Sequence, residues 1–193
     1  LRASTGATVY GPAREDIPGP LTALTGGQAV TALGLQFEVI DVPGHTAGHI
    51  AYVCAGMGGH PLLFCGDTLF SAGCGRLFEG TPAQMLASLN RLAALPPDTR
   101  VCCTHEYTLS NLKFALEVDP DNADLIAYSA HCHALRAQGH PTLPSSIALE
   151  RKINPFLRSS EPALIAAARR FDAASVEQNG AFATLRQWKN QYR

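Results

Sequence analysis

The sequence predicts an α/β protein in which a layered region of strands and helices is followed by a helical region. Three apolar, strand-like stretches each run directly into a residue that can bind a metal ion: His45, Asp67 and His105. A helical pattern separates the second stretch from the third, which indicates a strand, a helix and a strand in succession. Because buried strands of a layered α/β fold end at one edge of the sheet, we expect the three residues to meet there.

The first 80 residues are strand-rich and divided by turn residues. Gly26-Gly27 and Gly34 indicate a hairpin. The apolar stretches predict strands over 37–42, 50–54, 62–66 and 100–104. Thr81 followed by Pro82 is typical of an N-cap with proline at the first helical position, and the helix that begins there is expected to end before Pro96-Pro97.

Beyond residue 105 the pattern becomes helical, and no stretch there predicts a convincing strand. Helices are predicted over 108–118, 121–138, 161–171 and 180–191. The change of character predicts two domains, a strand-rich domain over 1–107 and a helical domain over 108–193.

Composition excludes several classes of protein. The 193 residues are 46% hydrophobic and 16% charged, which are values of a globular chain. The net charge of −1 gives no reason to expect binding to nucleic acid or to a charged membrane surface. The longest apolar runs are far shorter than the roughly 20 residues of a membrane span. We therefore expect a monomer with no nucleic-acid partner and no membrane partner.

Six cysteines occur without a Cys-x-x-Cys pair, which predicts reduced thiols in a cytoplasmic protein. His131-Cys132-His133 is an alternative metal site. It lies in a predicted helix, where residues two positions apart point in different directions, so chelation there is disfavoured.

Two imidazoles and one carboxylate are ligand types of a hydrolytic zinc or iron site. Glycine and proline make the segment around His45 a loop, so His45 is the predicted ligand and His49 is expected to form a hydrogen bond at the start of the next strand. Structural alternatives remain, with His45 in the core and Asp67 as a local cap.

Motifs characteristic of one family occur in the segments 43–49, 64–70, 72–81, 104–108, 111–115, 143–146 and 154–158. They resemble those of the glyoxalase II enzymes (hydroxyacylglutathione hydrolases) of the metallo-β-lactamase superfamily. The resemblance implies a metallo-β-lactamase-like αβ/βα sandwich, of which residues 1–107 form a part, and a C-terminal helical substrate-binding domain over 108–193.

The resemblance also implies a site with two metal ions. His45 and His105 would each bind one ion, and Asp67 would bind both and act as the catalytic residue. Zinc is the expected metal, with iron or manganese as alternatives. Two such cations would activate water and polarise a thioester carbonyl.

The substrate implied by the resemblance is a glutathione thioester, S-D-lactoylglutathione, hydrolysed to D-lactate and glutathione. The residues expected to contact it are Arg76, Phe78, Tyr107, Arg186 and Lys189. Arg76 and Phe78 stand where the family commonly has Lys and Tyr. Arg186 and Lys189 match an Arg-x-x-Lys pair that holds the glycine carboxylate, and their spacing puts both cations on one helix face.

One family motif, Thr-His-x-His-x-Asp-His, does not occur in these 193 residues. It supplies more than half of the family's metal ligands and precedes a segment resembling 5–12. The fold predicted for these residues alone is therefore N-terminally incomplete, and we expect them to bind metal weakly and to lack activity by themselves. The alternatives are an inactive fragment or glutathione-binding remnant, and a related persulfide dioxygenase, which residues 143–193 disfavour.

Overall fold

The computed structural model describes residues 2–56 and 58–192. The helices are α1 (Arg2–Thr5), α2 (Pro82–Ala93), α3 (Thr108–Val118), α4 (Ala123–Ala137), α5 (Ile147–Ile153) and α6 (Pro162–Gln191). The strands are β1 (Tyr10–Pro12), β2 (Thr22–Leu24), β3 (Ala29–Ala32), β4 (Leu35–Asp41), β5 (Ile50–Cys54), β6 (Leu62–Phe64), β7 (Leu69–Phe70), β8 (Gly73–Cys74), β9 (Arg100–Cys102) and β10 (Ser145–Ser146).

The main sheet has six strands in the order β10-β9-β6-β5-β4-β3. Strand β5 is antiparallel to both β4 and β6, and β6 is parallel to β9. Strands β4, β6 and β9 therefore run in the same direction, and their C-terminal ends share one edge of the sheet. Two further pairs of strands lie outside it, β1 with β2 and the hairpin β7–β8.

Helix α2 begins as its sequence predicts. The Thr81 side chain accepts a hydrogen bond from the Gln84 amide, and the Gln84 side chain accepts one from the Thr81 amide. This reciprocal capping satisfies two amides that the first helical turn leaves unpaired. The helix then buries Met85, Leu89 and Leu92 against the sheet. The predicted start, and the predicted end before Pro96-Pro97, are both confirmed.

The helical region differs from its prediction at two places. The prediction that no strand follows residue 105 is wrong, because β10 pairs with β9. A strand of two residues carries no periodic signal, so its pairing partner alone defines it. Helix α5 also escaped prediction. Within α6 the backbone is non-helical at Asp172 and Gly180, so helices are joined there across a kink, directly after the predicted helix over 161–171 and at the start of the predicted helix over 180–191.

One apolar core joins the strand-rich and helical regions. Leu63 and Val101 of the sheet belong to the same buried cluster as Met85 of α2 and Phe114 and Phe156 of the helical region. The opposite face of the sheet presents aromatic residues that are partly exposed. The domain boundary near residue 107 stays a prediction. No helix of the described chain has both the length and the apolar character to cross a membrane.

Candidate active site

The three predicted metal ligands lie together at the edge where β4, β6 and β9 end. His45 follows β4, Asp67 follows β6 and His105 follows β9. One carboxylate oxygen of Asp67 is 4.0 Å from Nε2 of His45, and its other oxygen is 3.5 Å from Nε2 of His105. Asp67 thus lies between the two imidazoles, with one oxygen toward each.

The orientation of His45 is set by a backbone carbonyl. Its Nδ1 lies 2.8 Å from the carbonyl oxygen of Arg76. Because a carbonyl can only accept, Nδ1 carries the hydrogen and donates it, and Nε2 of the neutral ring has a free lone pair. That lone pair faces the Asp67 carboxylate, which also only accepts. Two acceptors turned toward each other suit a cation between them, and metal-binding imidazoles are commonly oriented in this way.

His49 holds the backbone of Asp67. Its Nε2 accepts a hydrogen bond of 3.1 Å from the Asp67 amide, and β5 begins at the next residue. Burial lowers the pKa of His49, and the neighbouring His45 lowers it further. The neutral ring that results can accept at Nε2, as the bond to Asp67 requires. The predicted hydrogen-bonding role of His49 is confirmed.

His45, Asp67 and His105 offer donor types that a metal site uses. Within residues 2–56 and 58–192, no three His, Cys, Asp or Glu side chains are grouped so that they could hold one ion. His45 with Asp67, and Asp67 with His105, instead offer nitrogen and oxygen donors on the two sides of one carboxylate. These are donor types that zinc and iron accept. Each ion would receive two donors from these residues, fewer than the usual three or four.

Two of the predicted substrate-contacting residues are aromatic and pack against the histidines. The Tyr107 ring stacks on His105 with centroids 4.9 Å apart, and the Phe78 ring lies 5.0 Å from that of His45. Tyr107 is 50% exposed and Phe78 is 67% exposed. Both rings therefore border the site and remain open to a ligand. The Arg76 side chain is also exposed, although its carbonyl oxygen is engaged by His45.

The two predicted cations of α6 are more buried than side chains on a solvated helix face. The Arg186 guanidinium is buried, donates a hydrogen bond of 2.9 Å to the Cys74 carbonyl and packs on the Phe156 ring. The Lys189 ammonium donates to the Ser110 carbonyl at 3.0 Å, and burial lowers its pKa to about 8. Neither cation pairs with a carboxylate of the described chain, and the buried Nε of Arg186 has no hydrogen-bond partner there.

Two family models match adjoining parts of the chain. Residues 2–105 match the metallo-beta-lactamase superfamily, and residues 106–192 match the hydroxyacylglutathione hydrolase C-terminus. A protein named hydroxyacylglutathione hydrolase from Albidiferax ferrireducens is 66% identical over 192 residues, which cover 100% of this chain and 75% of that protein. The chain belongs to the hydroxyacylglutathione hydrolase family. The predicted family and the predicted class of enzyme, a hydrolase, are thereby confirmed.

Other similarities agree with this assignment. A hydroxyacylglutathione hydrolase from Cupriavidus taiwanensis is 57% identical, covering 96% of this chain and 70% of that protein. The solved structure of ETHE1 from Myxococcus xanthus is 26% identical with a TM-score of 0.59, and the match covers 93% of this chain and 68% of that chain. The solved structure of TTHA1623 in a di-iron-bound form is 26% identical with a TM-score of 0.51, and the match covers 81% of this chain and 68% of that chain. The metallo-β-lactamase-like fold is confirmed, and membership of this superfamily implies metal binding.

The sequence did not reveal the residues that support the segment between Asp67 and Arg76. Glu150 of α5 is fully buried and contacts that segment. One signal was available, because Glu150 lies three positions from both Ile147 and Ile153. A carboxylate in an apolar helix stripe indicates a buried partner.

Replacing Gly66 by Ala is expected to disturb the site through its backbone. Gly66 has a φ of +53°, and a Cβ there would lie 2.4 Å from Nε2 of His49. We expect Gly66→Ala to lower the free energy of unfolding by about 3 kcal/mol, from backbone strain and the lost His49 contact. Gly139→Ala is the matched control, because Gly139 has a φ of +75° with open space around it. Gly139→Ala should lower the free energy of unfolding, measured in urea, by about 1 kcal/mol. Equal losses of stability in the two variants would contradict a clash between the new Cβ at residue 66 and His49.

Proposed function

We propose that this protein hydrolyses the thioester S-D-lactoylglutathione to D-lactate and glutathione, using two metal ions held by His45, Asp67 and His105. The observation that carries this proposal is the Asp67 carboxylate, which turns one oxygen toward each imidazole. Family membership supports a glutathione thioester as substrate. The di-iron form of TTHA1623 supports a pair of metals in this fold. Zinc is the metal we propose, and iron or manganese would suit the same donors.

The metals, when bound, would lower the pKa of water and polarise the thioester carbonyl. The chain itself supplies charge and orientation. Asp67 brings a negative charge between two imidazoles, and the Arg76 carbonyl keeps His45 turned so that Nε2 faces that charge. The exposed rings of Tyr107 and Phe78 provide apolar walls on either side, which would exclude water from the bound acyl group.

We propose that α6 binds the glycine carboxylate of glutathione through Arg186 and Lys189. Both cations lie three positions apart on one helix and lack a carboxylate partner in the described chain. A buried cation without a counter-charge is costly, and a ligand carboxylate would supply that charge. In this proposal residues 1–107 provide the metal donors and residues 108–193 provide the carboxylate clamp. Arg76 is proposed to contact the same ligand.

We also propose that the protein acts as a monomer in the cytoplasm. All the proposed site residues come from one chain, so no second copy is required. The six cysteines are free thiols, which suits a reducing compartment.

The proposal is tested on the intact protein in which these 193 residues occur. We expect about two metal ions per chain, hydrolysis of S-D-lactoylglutathione, loss of that activity with a chelator and recovery with zinc. The 193 residues alone, with three proposed ligands, should retain less metal and show no hydrolysis. Equal hydrolysis of a lactoyl thioester of coenzyme A would contradict glutathione recognition. Metal-loaded protein without any thioesterase activity would contradict the reaction.

The pH dependence of substrate capture should report Lys189. Its pKa of about 8 means that the free protein loses the ammonium charge as pH rises through that value. Because a carboxylate binds the charged form, this titration should leave kcat/KM nearly level up to about pH 7, lower it about twofold at pH 8 and lower it about tenfold by pH 9. The Lys189→Arg variant keeps its charge in this range and should lose this alkaline decline. The same decline in both proteins would exclude Lys189 as its source.

A further inference from the structure

The hairpin β7–β8 connects two parts of the candidate site. Asp67 precedes it, and Arg76, whose carbonyl orients His45, follows it. The tip of the hairpin is Ser71-Ala72, and Ala72 has a φ of +54°, a conformation that costs energy for any residue with a Cβ. An isolated two-stranded hairpin is marginally stable in water. The surrounding structure must therefore hold this one in place.

Asn154, at the end of α5, holds both sides of the hairpin. Its Nδ2 lies 3.1 Å from the Phe70 carbonyl oxygen and 2.9 Å from the Gly73 carbonyl oxygen, so it can donate to both strands. Its Oδ1 accepts from the Phe156 amide at 3.0 Å, which fixes the orientation of the side chain. Asn154 is fully buried. One amide group therefore ties the two strands to the helical region.

Glu150 holds the tip from the same helix. Its Oε2 accepts a hydrogen bond of 2.9 Å from the Ala72 amide and lies 2.9 Å from Nδ2 of Asn154, whose two hydrogens are shared among this oxygen and the two hairpin carbonyls. The Ser145 hydroxyl donates to its other oxygen. Burial raises the pKa of this carboxyl group. Glu150 is thus a fully buried residue with several hydrogen-bond donors around it, and in the described chain it has no contact with His45, Asp67 or His105.

We propose that Glu150 and Asn154 are positioning residues for the metal centre. They fix the hairpin, and the hairpin fixes the Asp67 carboxylate at one end and the Arg76 carbonyl at the other. This inference rests on the proposed function for its catalytic consequence. The helical region would thus have two roles, since it holds the metal-binding loop in addition to binding substrate. Neither positioning residue touches the substrate or the reacting atoms.

The sharpest variant is Asn154→Asp. It keeps the side-chain size and the acceptor for the Phe156 amide, and it replaces the Nδ2 donor by an oxygen that faces two carbonyls and the Glu150 carboxyl group. Asn122→Asp is the matched control. Asn122 accepts from the Leu125 amide at 3.1 Å and donates from Nδ2 to the Lys152 carbonyl at 2.9 Å. It therefore loses the same kind of donor without any contact with the hairpin.

The intact, zinc-loaded protein is measured in three ways. For Asn154→Asp we expect amide exchange over residues 67–76 and zinc loss to a chelator to accelerate about tenfold. We expect kcat to fall about tenfold and KM to rise less, by about two- to threefold, because the hairpin also carries the Cys74 carbonyl to which Arg186 donates. Asn122→Asp should lower the melting temperature without these effects. Glu150→Leu should behave like Asn154→Asp, and Glu150→Gln, which keeps an acceptor for Ala72, should recover most of the loss.

The proposal is overturned if Asn154→Asp and Asn122→Asp show the same exchange over residues 67–76 and the same zinc loss. Should Asn154→Asp fail to fold, Asn154→Ala removes the donor without adding a charge and is judged by the same criteria. If the unaltered protein hydrolyses no lactoylglutathione, the proposed function falls. Exchange and zinc loss would still decide whether Glu150 and Asn154 position the hairpin.

Discussion

Replacing Asp67 by Asn is expected to lower kcat for lactoylglutathione by about a thousandfold or more and to remove most of the bound metal. The carboxylate turns one oxygen toward His45 and the other toward His105. Asn keeps the shape but removes the negative charge and replaces one oxygen by an NH₂ group, which donates hydrogen bonds and does not bind cations. A site with two metals would lose the donor that its ions share. Metal content and kcat are measured on the same preparation of the intact protein.

Asp98→Asn provides the control for the Asp67 variant. Asp98 pairs with His60 at 3.4 Å, is half exposed and lies before β9, at the opposite end of that strand from His105. An exposed pair of this kind contributes little to stability. We expect Asp98→Asn to leave metal content and kcat unchanged. Full metal content and a normal kcat in Asp67→Asn would remove Asp67 from the proposed centre.

The convergence of the three candidate ligands could be predicted because it depends on local pattern and strand direction. Each ligand directly follows an apolar stretch, and strands that run in the same direction end at the same edge. No knowledge of distant contacts was needed. The residue types then limited the chemistry to N and O donors. What the pattern could not supply was the orientation of each side chain, which depends on groups elsewhere in the chain.

Arg76 illustrates a role that sequence alone could not show. The resemblance implied a side chain in contact with substrate, and that role stays a prediction. The structure adds that its carbonyl oxygen accepts from Nδ1 of His45, 31 positions away. Any residue has a carbonyl, so no residue type marks this position. The same holds for the Ala72 amide and Glu150, which lie 78 positions apart and become neighbours only when α5 packs on the hairpin.

The burial of Arg186 also depends on distant contacts. Its spacing from Lys189 predicted a helix face that presents two cations. The structure places the guanidinium against the Cys74 carbonyl, 112 positions away. This contact connects α6 to the hairpin β7–β8, so the proposed carboxylate clamp and the proposed metal centre share one support. A change in Arg186 would therefore affect both, which makes Lys189 the better residue for testing substrate binding alone.

Lys189→Ala is accordingly expected to raise KM about 10- to 150-fold while kcat stays within about threefold. The ammonium is half-buried, lies above the Phe114 ring and donates only to the Ser110 carbonyl among the contacts that the structure describes. A charged hydrogen bond to a ligand carboxylate contributes about 1.5–3 kcal/mol. The glycine end of glutathione lies far from the thioester, so the contact should be equally strong in the bound substrate and in the transition state. Loss of such uniform binding raises KM and leaves kcat unchanged.

Lys152→Ala separates this effect from a general loss of positive charge. Lys152 lies on the exposed surface of α5 and pairs with Asp124 at 3.7 Å. Its replacement by Ala removes the same unit of positive charge as Lys189→Ala. Its KM should match that of the unaltered protein at physiological salt, where exposed charges are screened. Ethyl-ester blocking of the glycine carboxylate provides a second comparison from the substrate side. The blocked substrate loses its charged contacts with both Arg186 and Lys189, so it should bind the unaltered protein at least as weakly as the free acid binds Lys189→Ala. The Lys189→Ala substitution should then weaken binding of the blocked substrate little further. An unchanged KM in Lys189→Ala would show that the carboxylate binds elsewhere. The same follows if the rises in KM caused by the substitution and by the ester multiply when the two are combined, because independent effects mean that Lys189 does not contact the carboxylate.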